Sequence, residues 1–433
     1  MNSVPRQTRR GKKSRTLAEP NIPTPDGLAA MEVDAKVELI RQLIPLGLMA
    51  IGQCLDAEVV ELAGDRYSRS GGQPGLARHG SNPTSVQLAG QRVALRVPRV
   101  RDVREGKEVP LPFLATLRAA TGALNETLLR RVLYGLSCHN YEAAAEAVPG
   151  AIGLSASTVS RDFIRASAAK LRELAERDLS QHDIIALFLD GKTFARDCMV
   201  TALGVTMDGE KVVLGFVQTG TENGDVVAAF LQSLLDRGLD ISRGILAILD
   251  GSKGLRAGVK RAFGSRAVVH RCQWHKRENV VGYLPKDKQR WWRKRLQAAY
   301  ERPTYKEAKA ALDAIGRDLA EQNLSAADSL KEGLEETLTL HRLGVFPLLG
   351  ISLKTTNCLE SIFSQVESRT GRVSHWKNSS QKQRWLATAL LDIEPRLRRI
   401  RGYRHLGQLR VALEQELGLR ATDGEMPRGK EVA

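Results

Sequence analysis

Two apolar runs in this chain end on the same phrase. Phe188-Leu189-Asp190-Gly191-Lys192 closes the first, and Ile248-Leu249-Asp250-Gly251-Ser252-Lys253 closes the second. An acid directly after a buried strand costs sheet propensity, and a cation waiting at the sheet edge explains it. A hard divalent ion is the economical choice: Mg²⁺ takes carboxylate oxygens and keeps several waters, with Mn²⁺ as its natural substitute. Two Asp from separate strands plus one further acid would suit phosphoryl transfer. Asp-Gly after a strand is also an ordinary turn signal, since Asp bonds its own backbone and Gly supplies positive φ. Both motifs in one βα pattern favour the metal reading over turns alone.

Charge supplies a reason to meet phosphate. Over 433 residues the formal charge is +16, and the excess is clustered. Residues 1–15 carry Arg6, Arg9, Arg10, Lys12, Lys13 and Arg15 without an acid, which reads as a solvated, disordered tail. Lys286, Lys288, Arg290, Arg293, Lys294 and Arg295 surround Trp291 and Trp292, and Arg396, Arg398, Arg399, Arg401 and Arg404 lie further on. Separated clusters suit the backbone of double-stranded DNA better than a small anion, although each alone reads equally as a solvated helix face. The apolar stretch Leu43–Ile51 is broken by Pro45 and Gly47, so no membrane span is expected. The basic start lacks an apolar run behind it, and Cys54, Cys138, Cys198, Cys272 and Cys358 form no disulfide framework; a cytoplasmic, nucleoid-associated protein is expected.

The elements that must position the acids follow from periodicity. Residues 31–65 carry one apolar helical face, and 85–101 alternate as a hairpin with Arg92 and Arg96 on its polar side. Residues 141–148 form a short helix, Pro149-Gly150 breaks it, and Ser155 caps the next, with Val159 and Phe163 inward and Ser157, Thr158 and Arg161 placed to meet DNA. That is a loose helix-turn-helix pattern, equally readable as a capped helical hairpin. Strands are expected at 184–194, 198–207, 211–219, 245–249 and 267–272, with helices at 223–237 and 252–263. The order β-β-β-α-β-α-β is the ribonuclease-H-like arrangement, an α/β mixed sheet in which the first and fourth strands are neighbours and Asp190 meets Asp250. From 276 to 345 only helical spacing remains, including Trp292, Leu296 and Ala299. Trp292 fits that apolar face, while Trp291 is expected to be exposed and either to stack on an unpaired base or to pack structurally. Glu360, on a helix with Leu359, Ile362, Phe363 and Val366 buried, is the third acid; Asn357-x-x-Glu360 is equally a capping box.

These signals divide the chain into a basic tail (1–30), a helical region with a β-hairpin (31–115) and a helix-turn-helix DNA-binding domain (120–176). A ribonuclease-H-like core in two parts (182–276 and 346–395) follows, interrupted by an all-helical insertion (277–345), and a basic C-terminal segment (396–433) ends it.

Asp190-Gly191, Asp250-Gly251, Cys272-Gln273-Trp274-His275-Lys276 and Thr355-Thr356-Asn357-x-x-Glu360-Ser361 together resemble the DDE transposases of Mutator-type bacterial insertion sequences. Val97-Pro98-Arg99-x-Arg101 and the Leu154–Arg161 segment extend the resemblance over residues 35–395. It implies a catalytic and metal-binding triad of Asp190, Asp250 and Glu360, two Mg²⁺ ions, and terminal-inverted-repeat DNA as substrate, with a homodimer or higher oligomer on that DNA. Cys272 and His275 would then orient and pack the strand end, with Asn357 in support; a zinc site would need two further ligands. Arg293 joins Trp291, the hairpin arginines and the 157–161 residues as DNA contacts. Two other readings remain open: a nuclease on the same core that cuts without joining, and a catalytically silent DNA-binding regulator.

Overall fold

The computed structural model describes residues 33–67, 72–88, 91–119, 122–135, 156–220 and 223–419. They divide into two compact units. In the first, α1 (Val33–Ala63) precedes a hairpin of β1 (Leu76–Leu88) and β2 (Gln91–Asp102), with Val86 opposite Val93. β3 (Glu108–Val109) pairs with β2, and α2 (Pro112–Ala119) follows. Leu55, Val59, Val97, Val100 and Leu111 form the core. The hairpin starts well before residue 85, because a register shift between Arg78 and Ser81 breaks the alternation that would have marked its first arm.

The second unit takes in α3 (Gly122–Leu133), α4 (Ala156–Glu176) and a sheet made of β4 (Ile184–Phe194), β5 (Asp197–Thr206), β6 (Lys211–Thr219), β7 (Ile245–Leu249) and β8 (Ala267–Arg271). The expected helix at 141–148 and the Ser155 cap lie outside the described residues. Strand order is β6-β5-β4-β7-β8, antiparallel across β6, β5 and β4 and parallel across β4, β7 and β8. The two parallel neighbours Ile184–Leu189 and Ile245–Leu249 are apolar at every position because both faces are covered. α5 (Gly224–Asp236) and α6 (Lys253–Phe263) close one face through Val227, Leu231, Leu255 and Val259.

After β8 come six helices, α7 (Gln273–Gly282), α8 (Lys286–Tyr300), α9 (Tyr305–Gln322), α10 (Leu324–Lys331), α11 (Leu334–Thr337) and α12 (Thr339–Arg342). Trp292, Leu296, Leu312, Leu319 and Leu330 give them a core of their own. Lys276, fully buried, bridges this part to the sheet by donating to the carbonyls of Ser329 and Glu332 at the end of α10. Burial pushes its ammonium down to about 8. α13 (Phe346–Leu353), α14 (Asn357–Thr370) and α15 (Ser379–Ile393) then return, with α14 against β4 and α15 against β6, and α16 (Leu406–Glu416) ends the unit.

Several basic residues read as DNA-facing are engaged inside this unit. Arg396 pairs with Asp392 at 3.5 Å and Arg399 with Glu210 at 2.8 Å, while Arg295 pairs with Asp318.

His270, on β8 beside Ile248, is fully buried, and burial pushes its imidazole down to about 4. The unfolded chain takes up this proton near its ordinary value of about 6.5, the folded one only near 4, so this group stabilises the fold fully above that window and progressively less as pH falls through it. His270→Phe should therefore flatten the loss of stability between those pH values, by up to about 3 kcal/mol in denaturant titrations. An unchanged pH slope would show that His270 is protonated alike in both states.

Candidate active site

β4 and β7 run parallel with Leu189 beside Leu249, the last pair of their ladder. Both leucines point into the core under α5 and α6. Side chains alternate along a strand, so Asp190 and Asp250, one step on, both turn to the opposite face, where α14 packs on β4. Neighbouring strands lie ~4.8 Å apart, which lets two such carboxylates share one ion.

The two Asp-Gly pairs differ locally. Asp190 is strand interior, paired with Thr201 and only 2% exposed, and β4 continues to Phe194 before Ala195 and Arg196 turn the chain at φ 49° and 73°. The turn reading therefore does not hold for Asp190-Gly191. It does hold for Asp250, whose Oδ1 accepts the Ser252 N–H at 2.8 Å. Gly251 sits at φ 104°, and a Cβ there would collide with the Arg271 guanidinium. That arginine donates to the Glu332 carbonyl at 3.1 Å, so the Asp250 turn rests on the same residues that hold the end of α10.

Glu360 stands in the first turn of α14. Its Oε1 lies 3.9 Å from Lys192 Nζ and 3.5 Å from His275 Nε2. The other His275 nitrogen, Nδ1, bonds the Thr356 hydroxyl at 3.3 Å. Thr356 also donates its N–H to Cys272 Sγ at 3.4 Å and its hydroxyl to the same sulfur at 3.7 Å. Cys272 in turn donates its N–H to the Leu249 carbonyl at 2.7 Å, so the Cys-x-x-His motif ties the end of β7 to the start of α14. Burial holds the His275 imidazole below its ordinary value against the upward pull of the Asp250 and Glu360 carboxylates, and burial raises the Cys272 thiol.

One expectation is corrected here. Asn357 does not cap α14: Thr356 is the N-cap residue, without a side-chain cap bond, and Asn357 is already helical and exposed. Thr356 instead directs its hydroxyl to Cys272 and His275. Further along α14, Glu367 is exposed, while Arg369 Nε meets the buried Asp392 side chain at 2.9 Å.

The DNA-contact candidates are dispersed. Ser157 and Arg161 are exposed one turn apart on α4, with Thr158 at 3.4 Å from Arg161. Arg96 is exposed on β2 of the first unit, whereas the Arg92 side chain lies outside the described residues. Arg293 is held by Glu278 at 2.8 Å. Trp292 is 1% exposed and Trp291 55%, with Arg295 over the Trp291 ring at 5.1 Å.

Three carboxylates are a suitable donor set for a hard divalent cation. Among the described residues, however, no three His, Cys, Asp or Glu side chains already stand close enough to hold one, and Glu360 faces the Lys192 ammonium instead. The fit lies in donor chemistry and strand register.

The family model described as Transposase, Mutator family, matches residues 24–398. The chain belongs to the Mutator family of transposases. Among its relatives, the transposase for insertion sequence element IS6120 of Mycolicibacterium smegmatis is 29% identical over 255 residues, 57% of this chain and 77% of the relative. That of IS256 in transposon Tn4001 from Staphylococcus aureus is 25% identical over 317 residues, 69% of this chain and 76% of the relative. That of IS1081 from Mycobacterium tuberculosis is 25% identical over 415 residues, 93% of this chain and 95% of the relative. No helix among the described residues of this Mutator-family chain is long and apolar enough to cross a membrane.

Sequence spacing did not single out Lys192 or Thr356, although each carried a signal. Lys192 is two residues beyond Asp190, hence on the same strand face, and Thr is a preferred N-cap residue directly before Asn357.

Thr356→Val removes the hydroxyl that holds His275 and Cys272 while keeping the shape. It should cost ~1 kcal/mol in chemical unfolding, as one lost hydrogen bond does. Transposase activity should fall by more than that stability loss explains, and Thr356→Ser should restore most of it. Full activity in Thr356→Val would remove the Thr356–His275 link from the site.

Proposed function

We propose that this chain binds the terminal inverted repeats of an insertion sequence, cleaves the DNA strand at their ends and joins the freed 3′-hydroxyl to a second phosphodiester, using Asp190, Asp250 and Glu360 around Mg²⁺. The observation that carries this reading is the register: Leu189 beside Leu249 turns two aspartates to one face, the face that receives α14 and Glu360. The strand order β6-β5-β4-β7-β8 further supports a ribonuclease-H-like core, and the helices after β8 support the inserted helical segment.

In this reading Asp190 and Asp250 hold the cation and Glu360 completes its carboxylate set. When bound, Mg²⁺ supplies Lewis-acid polarisation of phosphoryl oxygens and a more acidic water. Lys192, already beside Glu360, would meet phosphate oxygens brought to the site, and Thr356 with His275 would keep Glu360 from drifting. The exposed Ser157 and Arg161 of α4 would approach the major groove as the second helix of a helix-turn-helix. Bringing two ends together would take at least a dimer. Acids at all three positions, Asp190, Asp250 and Glu360, favour an active enzyme over a silent DNA-binding regulator.

Asp190→Ala, Asp250→Ala and Glu360→Gln should each lower Mg²⁺-dependent strand cleavage by roughly 100-fold or more while changing end binding by no more than about threefold, because affinity comes mostly from basic contacts. Glu367→Gln should leave most activity. Cleavage surviving Asp190→Ala or Asp250→Ala would end the assignment, and an active Glu360→Gln beside a dead Glu367→Gln would move the third ligand two turns along α14. Arg161→Ala should cost ~1–3 kcal/mol of specificity if it reads a base edge, or weaken all sequences alike with a shallower salt slope if it meets phosphate. End binding that responds in neither way would take α4 out of the interface.

A further inference from the structure

A cavity of about 630 Å³ opens directly beside Glu360, walled by Trp274, Trp376 and Phe363, with Lys192 and Glu367 also lining it. Its size is that of a pocket for a small organic ligand. The walls are aromatic and held in place from behind: Trp376 meets Phe194 edge-on at 5.2 Å and Trp385 at 6.2 Å, while Trp274 meets His275 edge-on at 4.8 Å. Both indoles remain partly exposed toward solvent. The polar lining combines one ammonium with two carboxylates, which disfavours a phosphate inside the cavity but admits an uncharged planar group whose own phosphate rests near Lys192.

We propose that this cavity receives one unpaired nucleobase of the DNA being cut, stacked on Trp376 or Trp274, and so fixes the position of the adjacent phosphodiester. The assignment rests on the transposase reading above and extends it from the three acids to a base-binding site. The occupant follows from continuity with that site, since Glu360 lines both, and from chemistry: aromatic faces accept any base, and extruding a base costs least where pairing is already weak. Trp291, 55% exposed with Arg295 over its ring at 5.1 Å, stands on α8 and does not line this cavity.

The test uses the full-length protein and duplexes carrying the inverted repeats that flank its own gene, with a single mismatch moved one base pair at a time across the cleavage point. In the unaltered protein one mismatch position should speed cleavage by roughly 10-fold, because unpairing no longer has to be met from binding. Ser364→Trp, which fills the cavity from an exposed position on α14, should abolish that gain while leaving melting temperature and binding to paired ends unchanged. Trp376→Ala should abolish it as well. Cleavage with no mismatch-sensitive position, or a gain retained in both variants, overturns the base site and leaves the transposase reading standing. No Mg²⁺-dependent cleavage of any duplex by the unaltered protein overturns both.

Discussion

Everything in the candidate site depends on one strand pairing. β4 and β7 are bonded in parallel through Leu189 and Leu249, and the pleat dictates the orientation of their neighbours: once those two leucines point into the α5–α6 core, the next residue on each strand must point the other way. A slip of one residue would bury one carboxylate among Val227, Leu231 and Leu255, at a cost no neighbouring interaction offsets. The hydrophobic core therefore sets the register, and the register aligns the acids. That alignment leaves Asp190 buried, at 2% exposure.

The second constraint is how a helix from distant sequence is made to arrive at the right height. Cys272 takes the Leu249 carbonyl with its N–H and the Thr356 backbone N–H with its sulfur, so one small buried residue pins the start of α14 to the end of β7. His275 fills the space between Thr356 and Glu360 and feels both Asp250 and Glu360 electrostatically. Arg271 and Lys276 anchor the end of α10 to the same strand end, and the absent side chain of Gly251 makes room for the guanidinium. The helical segment and the Asp250 turn are thus mechanically joined.

Much of this was legible in the sequence because apolar periodicity and burial are the same physics. The unbroken run Ile184–Leu189 and the alternation beyond it marked β4 through Phe194, and the spacing of Trp292, Leu296 and Ala299 marked the buried side of α8. The parts that were not legible depend on partners remote in sequence. Arg293 and Arg399 looked available for DNA because their acidic partners, Glu278 and Glu210, could not be assigned by spacing. Thr356 and Asn357 are both good caps, and only the sulfur of Cys272 and the ring of His275 decide between them. The aromatic cavity is assembled from β4, α7, α14 and the segment before α15, and no local pattern announces it.

The central claim is that Asp190, Asp250 and Glu360 form one cation site. Anomalous scattering from crystals of the protein grown with cleaved end DNA and Mn²⁺ tests it directly. Manganese peaks are expected in contact with the carboxylates of Asp190 and Asp250, with Glu360 turned from Lys192 to join them. Manganese bound away from the ends of β4 and β7, or held with Glu367 in place of Glu360, would contradict it.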